Sequence, residues 1–564
     1  MLAGSVWRFR LRVAAVAFLL ASWSTALAAQ ESAPGTKECH DGTVPIDRDT
    51  PVDHDACPAP APKEREPSLP AHLYREAIVE ELSRIFDIPD KIIWALGPLG
   101  VEPNREAANV NAFDEVPNST WFTNRNHVRS VSPSEIREGP GKGVKPEKPW
   151  KIVDLKRSGM TPGFHIKDGN DRRWLIKLDA PGYPQAGSGA AAVSSRLVWA
   201  AGYHFTHDQA VAFHRSDLTL DEDLKQGKEG KPVSDSDLEY LLALGARDPD
   251  GTQYAAASLF LEGSPIGPFE FRGRREDDPN DWYQHKNRRE LRGLWVVYSW
   301  VNNWDVKDHQ SLDMFHAPDG DSVGHVIHNL LDASASLGAA AQGTKDLPTG
   351  YEKRIDFGWI AKRLVSLGFA EEPWRRIDQD TGIPSIGNFA SEGFEPDDWE
   401  PAQDLAPFRE KELGDLYWGA KLVASFSDRQ IRAAIDAVGY RDPRAPETLF
   451  RILKERRDAI ARYWFGRVAP LDFFTVEGGT LRFRDLAVDL GLTPAREYEA
   501  RITPSGTKGD SRAVSFRGTA FPLSQLGEAS EFTLELRVRG SNAHPVRLEL
   551  RRASPWAMVR VRHG

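Results

Sequence analysis

The chain has 564 residues, with 72 Lys plus Arg against 82 Asp plus Glu and a formal charge of −10. At roughly 150 residues per domain this is material for three or four domains. With 40% hydrophobic and 27% charged residues it reads as a globular chain with a sizeable core, not as a disordered or collagen-like one. The negative balance works against general nucleic-acid affinity, because phosphate contacts need cations, and 2 cysteines do not make a disulfide scaffold.

Arg8, Arg10 and Arg12 precede the apolar run Val13–Leu20, and Ala26-Leu27-Ala28 follows it. These are the three parts of a secretory signal peptide, and the apolar run is short for a membrane span. The expectation is an exported protein, periplasmic or extracellular, with no membrane span once the signal is cleaved. Cys39 and Cys57 then lie where a disulfide can persist. Gln30–Pro70 is polar and proline-rich, as a linker is. Its Asp47, Asp49, Asp53 and Asp55 lack the spacing and glycine of a calcium loop and read as a solvated acidic stretch. Leu73–Phe86 has helical periodicity, and Asn109–Asn126 is turn-rich with large aromatics, as a wrapped segment would be.

Residues 150–179 predict three strands: Lys151–Lys156, Phe164–Lys167 and Arg173–Leu178. A glycine-containing turn joins the first two, and Asp168-Gly169-Asn170-Asp171 joins the second and third. Ala186–Ala201 predicts a helix ended by Gly202. Val211–His214 and Tyr254–Leu261 read as strands, and the charged Leu218–Asp250 as a surface insertion. Arg288–Asn303 predicts a helix apolar on most sides and therefore buried, and Val323–Leu331 an apolar strand ending at Asp332. Leu405–Ala437 and Glu447–Phe465 are helical by pattern. From Glu477 onwards, period-two alternation at Thr480–Arg484, Tyr498–Ile502, Ala513–Phe516, Glu531–Val538 and Val546–Arg551 predicts a small all-β domain.

Several motifs are missing from the chain. There is no H-E-x-x-H, C-x-x-C, G-x-S-x-G or G-x-x-x-x-G-K-[ST]. His325 and His328 fall three apart on a strand, on opposite faces, which is poor spacing for a shared metal.

One constellation carries chemistry. A strand, glycine turn, strand, turn and strand end with Lys177; a small-residue helix, more strands and a buried helix follow. That helix runs into Asn302-Asn303-Trp304-Asp305-Val306-Lys307-Asp308-His309-Gln310, and an apolar strand then delivers Asp332. This order resembles the protein-kinase-like fold. The strings NVNAFDEVPNSTWFTNRN, GMTPGFHIKD, WLIKLDAP, RRELRGLWVVYSWVNNWDVKDHQSLDM, HNLLDASASLGA and LRFRDLA are similar to those of a family of exported bacterial proteins with an atypical kinase-like core. More distantly, the core is similar to HipA-type and spore-coat kinase-like families.

The resemblance implies ATP and Mg as cofactors. Gly159 and Gly163 would let backbone approach phosphate, Lys177 would supply a point charge, Asp305 would orient an attacking hydroxyl, and Gln310 with Asp332 would hold the metal through oxygen. The same residues have plainer uses. The glycines can simply turn a hairpin, Lys177 can pair with Asp179 at a sheet edge, and Asp305 and Asp332 can cap or turn. Asp356-Phe357-Gly358 matches a metal-binding tripeptide, yet no buried strand precedes it.

Three departures weigh against an active kinase. The resembling family has a Glu where Ala191 aligns, and no Asp or Glu occurs between Pro181 and Phe205. Gln310 stands where the pattern has Asn, and Ala333-Ser334 where it has Phe-Gly.

The expected fold is α+β: a two-lobed kinase-like core with an N-terminal helical wrap and a C-terminal β-sandwich-like domain. Its divisions are 1–28 signal peptide, 29–70 linker, 71–149 N-terminal extension, 150–265 N-lobe, 266–470 helical C-lobe and 471–564 β domain. Two functions stand open: an exported, degraded phosphotransferase, or a non-catalytic pseudokinase-like scaffold with a protein or glycan partner in the cell envelope. A third reading, an envelope-polymer hydrolase, would use Asp305, Asp308, His309 and Asp313.

Overall fold

Alternation in period two builds the first sheet. Trp150–Leu155 (β1), Gly163–Lys167 (β2) and Arg173–Leu178 (β3) run antiparallel in chain order. The Ala186–Ala201 helix (α1) follows and ends at Gly202, whose φ of 134° favours glycine and where a side chain would strike the Phe122 ring. Asp208–Phe213 (β4), Leu218–Leu220 (β5) and Gln253–Leu259 (β6) complete six strands in the order β4-β6-β3-β2-β1-β5. The structure, a computed structural model, describes residues 58–65 and 106–564, except 157–158, 227–229, 319–320, 345–348, 352–356, 372–374, 376, 404, 506–510 and 554. The signal segment, Cys39, Cys57, the acidic stretch, the Leu73–Phe86 helix and Asp356 lie outside the described residues.

One face of the sheet is a closed core of Trp150, Phe164, Ile166, Trp174, Ile176 and Phe213. Residues 218–250, expected as a surface insertion, contribute to it. The Asp235–Ala243 helix (α2) starts at a Ser234 capping box and sends Leu238 and Leu242, one turn apart, into that core. The opposite face carries Lys177. Its cross-strand neighbours are Ala256 and then Ala210, which packs on the cluster containing Ala190, Val193 and Leu197 of α1.

Ser264–Pro265 (β7), Ser311–His316 (β8) and Val323–Leu330 (β9) form a second antiparallel sheet. Ala59–Pro60 pairs with its edge. That corrects part of the linker expectation: residues 58–65 are docked, with Lys63 N donating to Asp277 Oδ2 and Arg275 Nη2 to the Lys63 carbonyl. An edge position is where a proline-bearing segment can pair.

The Arg289–Val301 helix (α3) has all its residues buried. It lies against the Leu413–Ala424 helix (α4), where Gly293 and Gly419 leave the backbones in near contact: a Cβ on Gly419 would sit 2.6 Å from the Gly293 carbonyl oxygen. The run read as one helical stretch from 405 to 437 is Ala406–Arg409, α4 and Asp428–Asp436 (α5), and Ala445–Phe465 (α6) follows. Trp295, Trp300, Trp418 and Trp464 all lie in this core. No helix among the described residues is long and apolar enough to cross a membrane. Of the expected N-terminal wrap, the described residues include two short helices, Asn126–Arg129 and Pro133–Glu138.

At the C-terminal end, Leu471–Glu477, Thr480–Asp485 and Ala520–Pro522 form one sheet. Arg512–Arg517, Glu497–Pro504, Glu531–Val538, Val546–Arg551 and Ala557–His563 form another, in that order. Both contribute to a single core of Leu471, Leu481, Phe521, Ile502, Leu534 and Leu548. Three of these strands, 471–477, 520–522 and 557–563, were not expected from the sequence. The whole is mixed α and β with several sheets.

Buried ion pairs tie these pieces together. Lys421 on α4 bridges Glu115 and, at 2.8 Å, Asp472, with all three side chains nearly sealed from solvent. Lys421→Ala leaves two carboxylates facing each other without a cation. It should destabilise the protein by about 3–5 kcal/mol in urea unfolding, and adding Glu115→Gln and Asp472→Asn should recover part of the loss.

Candidate functional site

The β2–β3 hairpin sets the first side of the site. Gly163 lies directly opposite Lys177, and a Cβ there would fall 2.1 Å from the Ile176 carbonyl oxygen. The turn before it contains Gly159 at φ 79°, a left-handed position that favours glycine. Gly163 therefore answers to strand contact and Gly159 to turn geometry.

Lys177 is 8% exposed, and its Nζ lies 2.8 Å from Asp332 Oδ1. Asp332 follows β9, at φ 58°, and accepts hydrogen bonds from the Ser334 amide and hydroxyl. Burial opposes ionisation of Asp332, but Lys177 and Ser334 outweigh it and hold the carboxyl well below the usual range. The bridge thus joins the first sheet to the end of the second.

Asp179 turns to α1 and does not pair with Lys177 at the sheet edge. It caps α1, accepting from Gln185 N, Ser188 N and, at 2.6 Å, Ser188 Oγ. Burial raises its carboxyl to about 6 against these hydrogen bonds. α1 offers no carboxylate towards Lys177, and Ala191 is a buried alanine.

The third group is the loop after α3. Lys307 Nζ lies 2.8 Å from Asp305 Oδ2, and Gln310 Nε2 approaches the same oxygen at 3.4 Å. The Leu331 amide donates to the Gln310 carbonyl at 2.8 Å. That bond puts the Gln310 backbone beside the residue preceding Asp332, so Asp305, Gln310 and Asp332 come together through a short chain of contacts. Asp313, by contrast, is sealed between Arg275 and His328 at 2.8 and 2.7 Å, and His328 stacks on Trp121. Asp308 is occupied with the Phe271 amide.

Two cations were missed from the sequence. Lys156, at the end of β1, donates to the Thr161 carbonyl at 2.7 Å. Burial, and then repulsion from Lys177, lower its pKa, so both lysines serve one electrostatic neighbourhood. Lys307, two residues beyond Asp305, is the other. A lysine beside a glycine turn and a D-x-K string were the available signals. Thr161, Lys177, Ser188, Ala256, Ser334 and Gly343 line the cleft.

No protein-family model and no curated protein matches the chain. Among solved structures, the Golgi casein kinase with Mn/ADP bound is similar at 11% identity and a TM-score of 0.27, over 57% of this chain and 72% of that one. Another structure of the Golgi casein kinase is similar at 10% identity and a TM-score of 0.27, over 57% and 73%. At that TM-score the likeness carries no argument, and the site stands on its own geometry.

The Asp332 side chain keeps 37% exposure, so its bridge is worth less than a sealed pair. Lys177→Met should lower stability by about 1–2 kcal/mol at neutral pH. Because the native carboxyl titrates below its ordinary 3.8, this advantage of the wild type is complete above that pH and fades as acidification protonates Asp332. Asp179 acts with opposite sign. Its native value of about 6 lies above 3.8, so its ionisation withdraws stability as pH rises through that window, and Asp179→Asn should flatten that part of a stability–pH profile.

Proposed function

We propose that the protein is an exported protein with a kinase-like, two-lobed core whose cleft binds a nucleoside triphosphate with Mg²⁺. The observation that carries this reading is the 2.8 Å bridge from Lys177 to Asp332, with the Gln310 carbonyl bonded to the preceding residue. In this reading the first sheet is one lobe and α3 to α6 the core of the other. Lys177 and Lys156 face the phosphates. Asp305, held by Lys307, orients an acceptor hydroxyl, and Gly159 and Gly163 keep side chains away from the turn.

The donor set suits a hard cation. Asp332 supplies a carboxylate and Gln310 an amide oxygen, and Mg²⁺ is ordinarily held by one or two carboxylates with phosphates and waters completing its shell. Among the described residues no group of three or more His, Cys, Asp or Glu gathers into a cage, and in this reading the phosphates complete the site. Bound Mg²⁺ would neutralise phosphate charge. The protein's part is to hold Lys177 and Asp305 in place.

The second reading is a non-catalytic, pseudokinase-like scaffold of the cell envelope, with the C-terminal β domain, read as a sandwich, holding a protein or glycan. Two observations favour it: α1 lacks a carboxylate, and the free space beside Lys177 is about 20 Å³, room for a single water. A nucleotide would need the Ala339–Thr344 hairpin to move. The hydrolase reading loses Asp313, which has no access to substrate.

Calorimetry with MgATP decides between the first two. Micromolar to submillimolar binding that needs the metal and weakens at least about tenfold in Asp332→Asn supports the nucleotide site. No binding at millimolar MgATP overturns it and leaves the scaffold.

A further inference from the structure

Asp208 is the first residue of β4 and is 2% exposed. It lies under α1 on the face of the sheet that carries Lys177, because Lys177 pairs with Ala256, Ala256 with Ala210, and Asp208 stands two residues from Ala210. Ideal strand spacing puts the Lys177 and Asp208 Cα atoms about 12 Å apart, a gap that a four-carbon lysine stem and a carboxylate reach across.

Its hydrogen-bonding neighbours are neutral, and one buried cation, Arg196, lies near. Thr206 Oγ1 donates to Oδ2 at 3.1 Å, the Ser258 side chain lies alongside, and Oδ1 has no well-formed hydrogen bond. The nearby Arg196 spends its Nη1 on the Asp208 backbone carbonyl, not on the carboxylate. Arg196 acts on the carboxylate through space, but its Nη1 is committed to the Ala192 and Asp208 carbonyls, and a buried carboxylate with an incomplete set of hydrogen bonds is costly. Burial raises Asp208 above the usual carboxylate range, the Lys177 charge opposes that rise, and the Asp332 charge adds to it. The three groups therefore feel one another.

Lys177 holds Asp332 in this structure, and a cation bound at Asp332 would compete for the same oxygen. We propose that Asp208 is a positioning residue that takes over the Lys177 ammonium when Asp332 is drawn to a cation, doing from β4 the work of the carboxylate that α1 lacks. The cation that draws Asp332 away rests on the nucleotide reading above; the pairing of Lys177 with Asp208 once Asp332 is neutralised does not.

A double-mutant cycle tests it without ligand. Lys177→Met and Asp208→Asn are combined in the wild type and again in an Asp332→Asn background, with urea unfolding as readout; Asp208→Ser and Asp332→Ser replace any amide variant that does not fold. The 177–208 coupling should be about tenfold in the unfolding equilibrium constant when Asp332 is neutralised, and several-fold smaller when it is present. A merely structural Asp208 gives the same coupling in both backgrounds or none, and either result overturns the proposal. MgATP calorimetry is the second arm. If the wild type binds, Asp208→Asn should weaken binding about tenfold and Asp208→Glu restore most of it, and unchanged affinity in Asp208→Asn overturns the positioning role. If the wild type does not bind, the nucleotide reading falls and the cycle alone decides the charge exchange.

Discussion

Arg289, Glu290 and Arg292 sit on a helix with no exposed position, so every charge they bring inside must meet an opposite one. Arg289 reaches Asp114 and Asp415, and Arg292 shares Asp415. Asp114 in turn accepts from the His563 amide, which fastens the last strand to the segment before the first sheet. Burial alone would raise the Asp114 carboxyl, and Arg289 with His563 more than reverse this. Residues more than 400 apart in sequence are thereby fixed around one helix. The loop carrying Asp305 and Gln310 leaves the end of that helix, so its position follows from the same pairing.

The candidate site obeys the same constraint with less margin. Lys177 comes from the first sheet and Asp332 from the segment just after the second, and they neutralise each other across the cleft. Asp179, close by in sequence, is already committed to the start of α1. Asp208 is buried on the same face, beside Thr206 and Arg196. Lys177, with Lys156 close by, thus stands among carboxylates with different tasks, which gives the cleft a charge arrangement that a bound cation would redistribute.

Much of the fold was legible because its signals are local. The alternation of RWLIKL marks a strand, the small-residue run from Ala186 to Gly202 marks a helix and its end, and the apolar circumference of Arg288–Asn303 marks burial. The misreadings arose where the deciding contact is distant. Leu238 and Leu242 looked like part of a charged surface stretch because their core is made by the distant strands of the first sheet. Ala59–Pro60 looked like linker because its partner, the edge of β9, lies more than 250 residues away. The strands at 471–477 and 557–563 have mixed patterns that became strands only by pairing with neighbours.

The sequence by itself determined the order of elements, the glycine turn before Lys177, the absence of an acid from α1, and Asp332 at the end of an apolar strand. These depend on residue type and spacing along the chain. Only the tertiary structure decided that Lys177 pairs with Asp332 and not with Asp179, that Lys156 shares its neighbourhood, that Asp313 is locked away between Arg275 and His328, and that Asp208 lies on the Lys177 face. Electrostatic pairing acts through space at a few ångströms, and sheet register, not distance along the chain, sets which charges come that close.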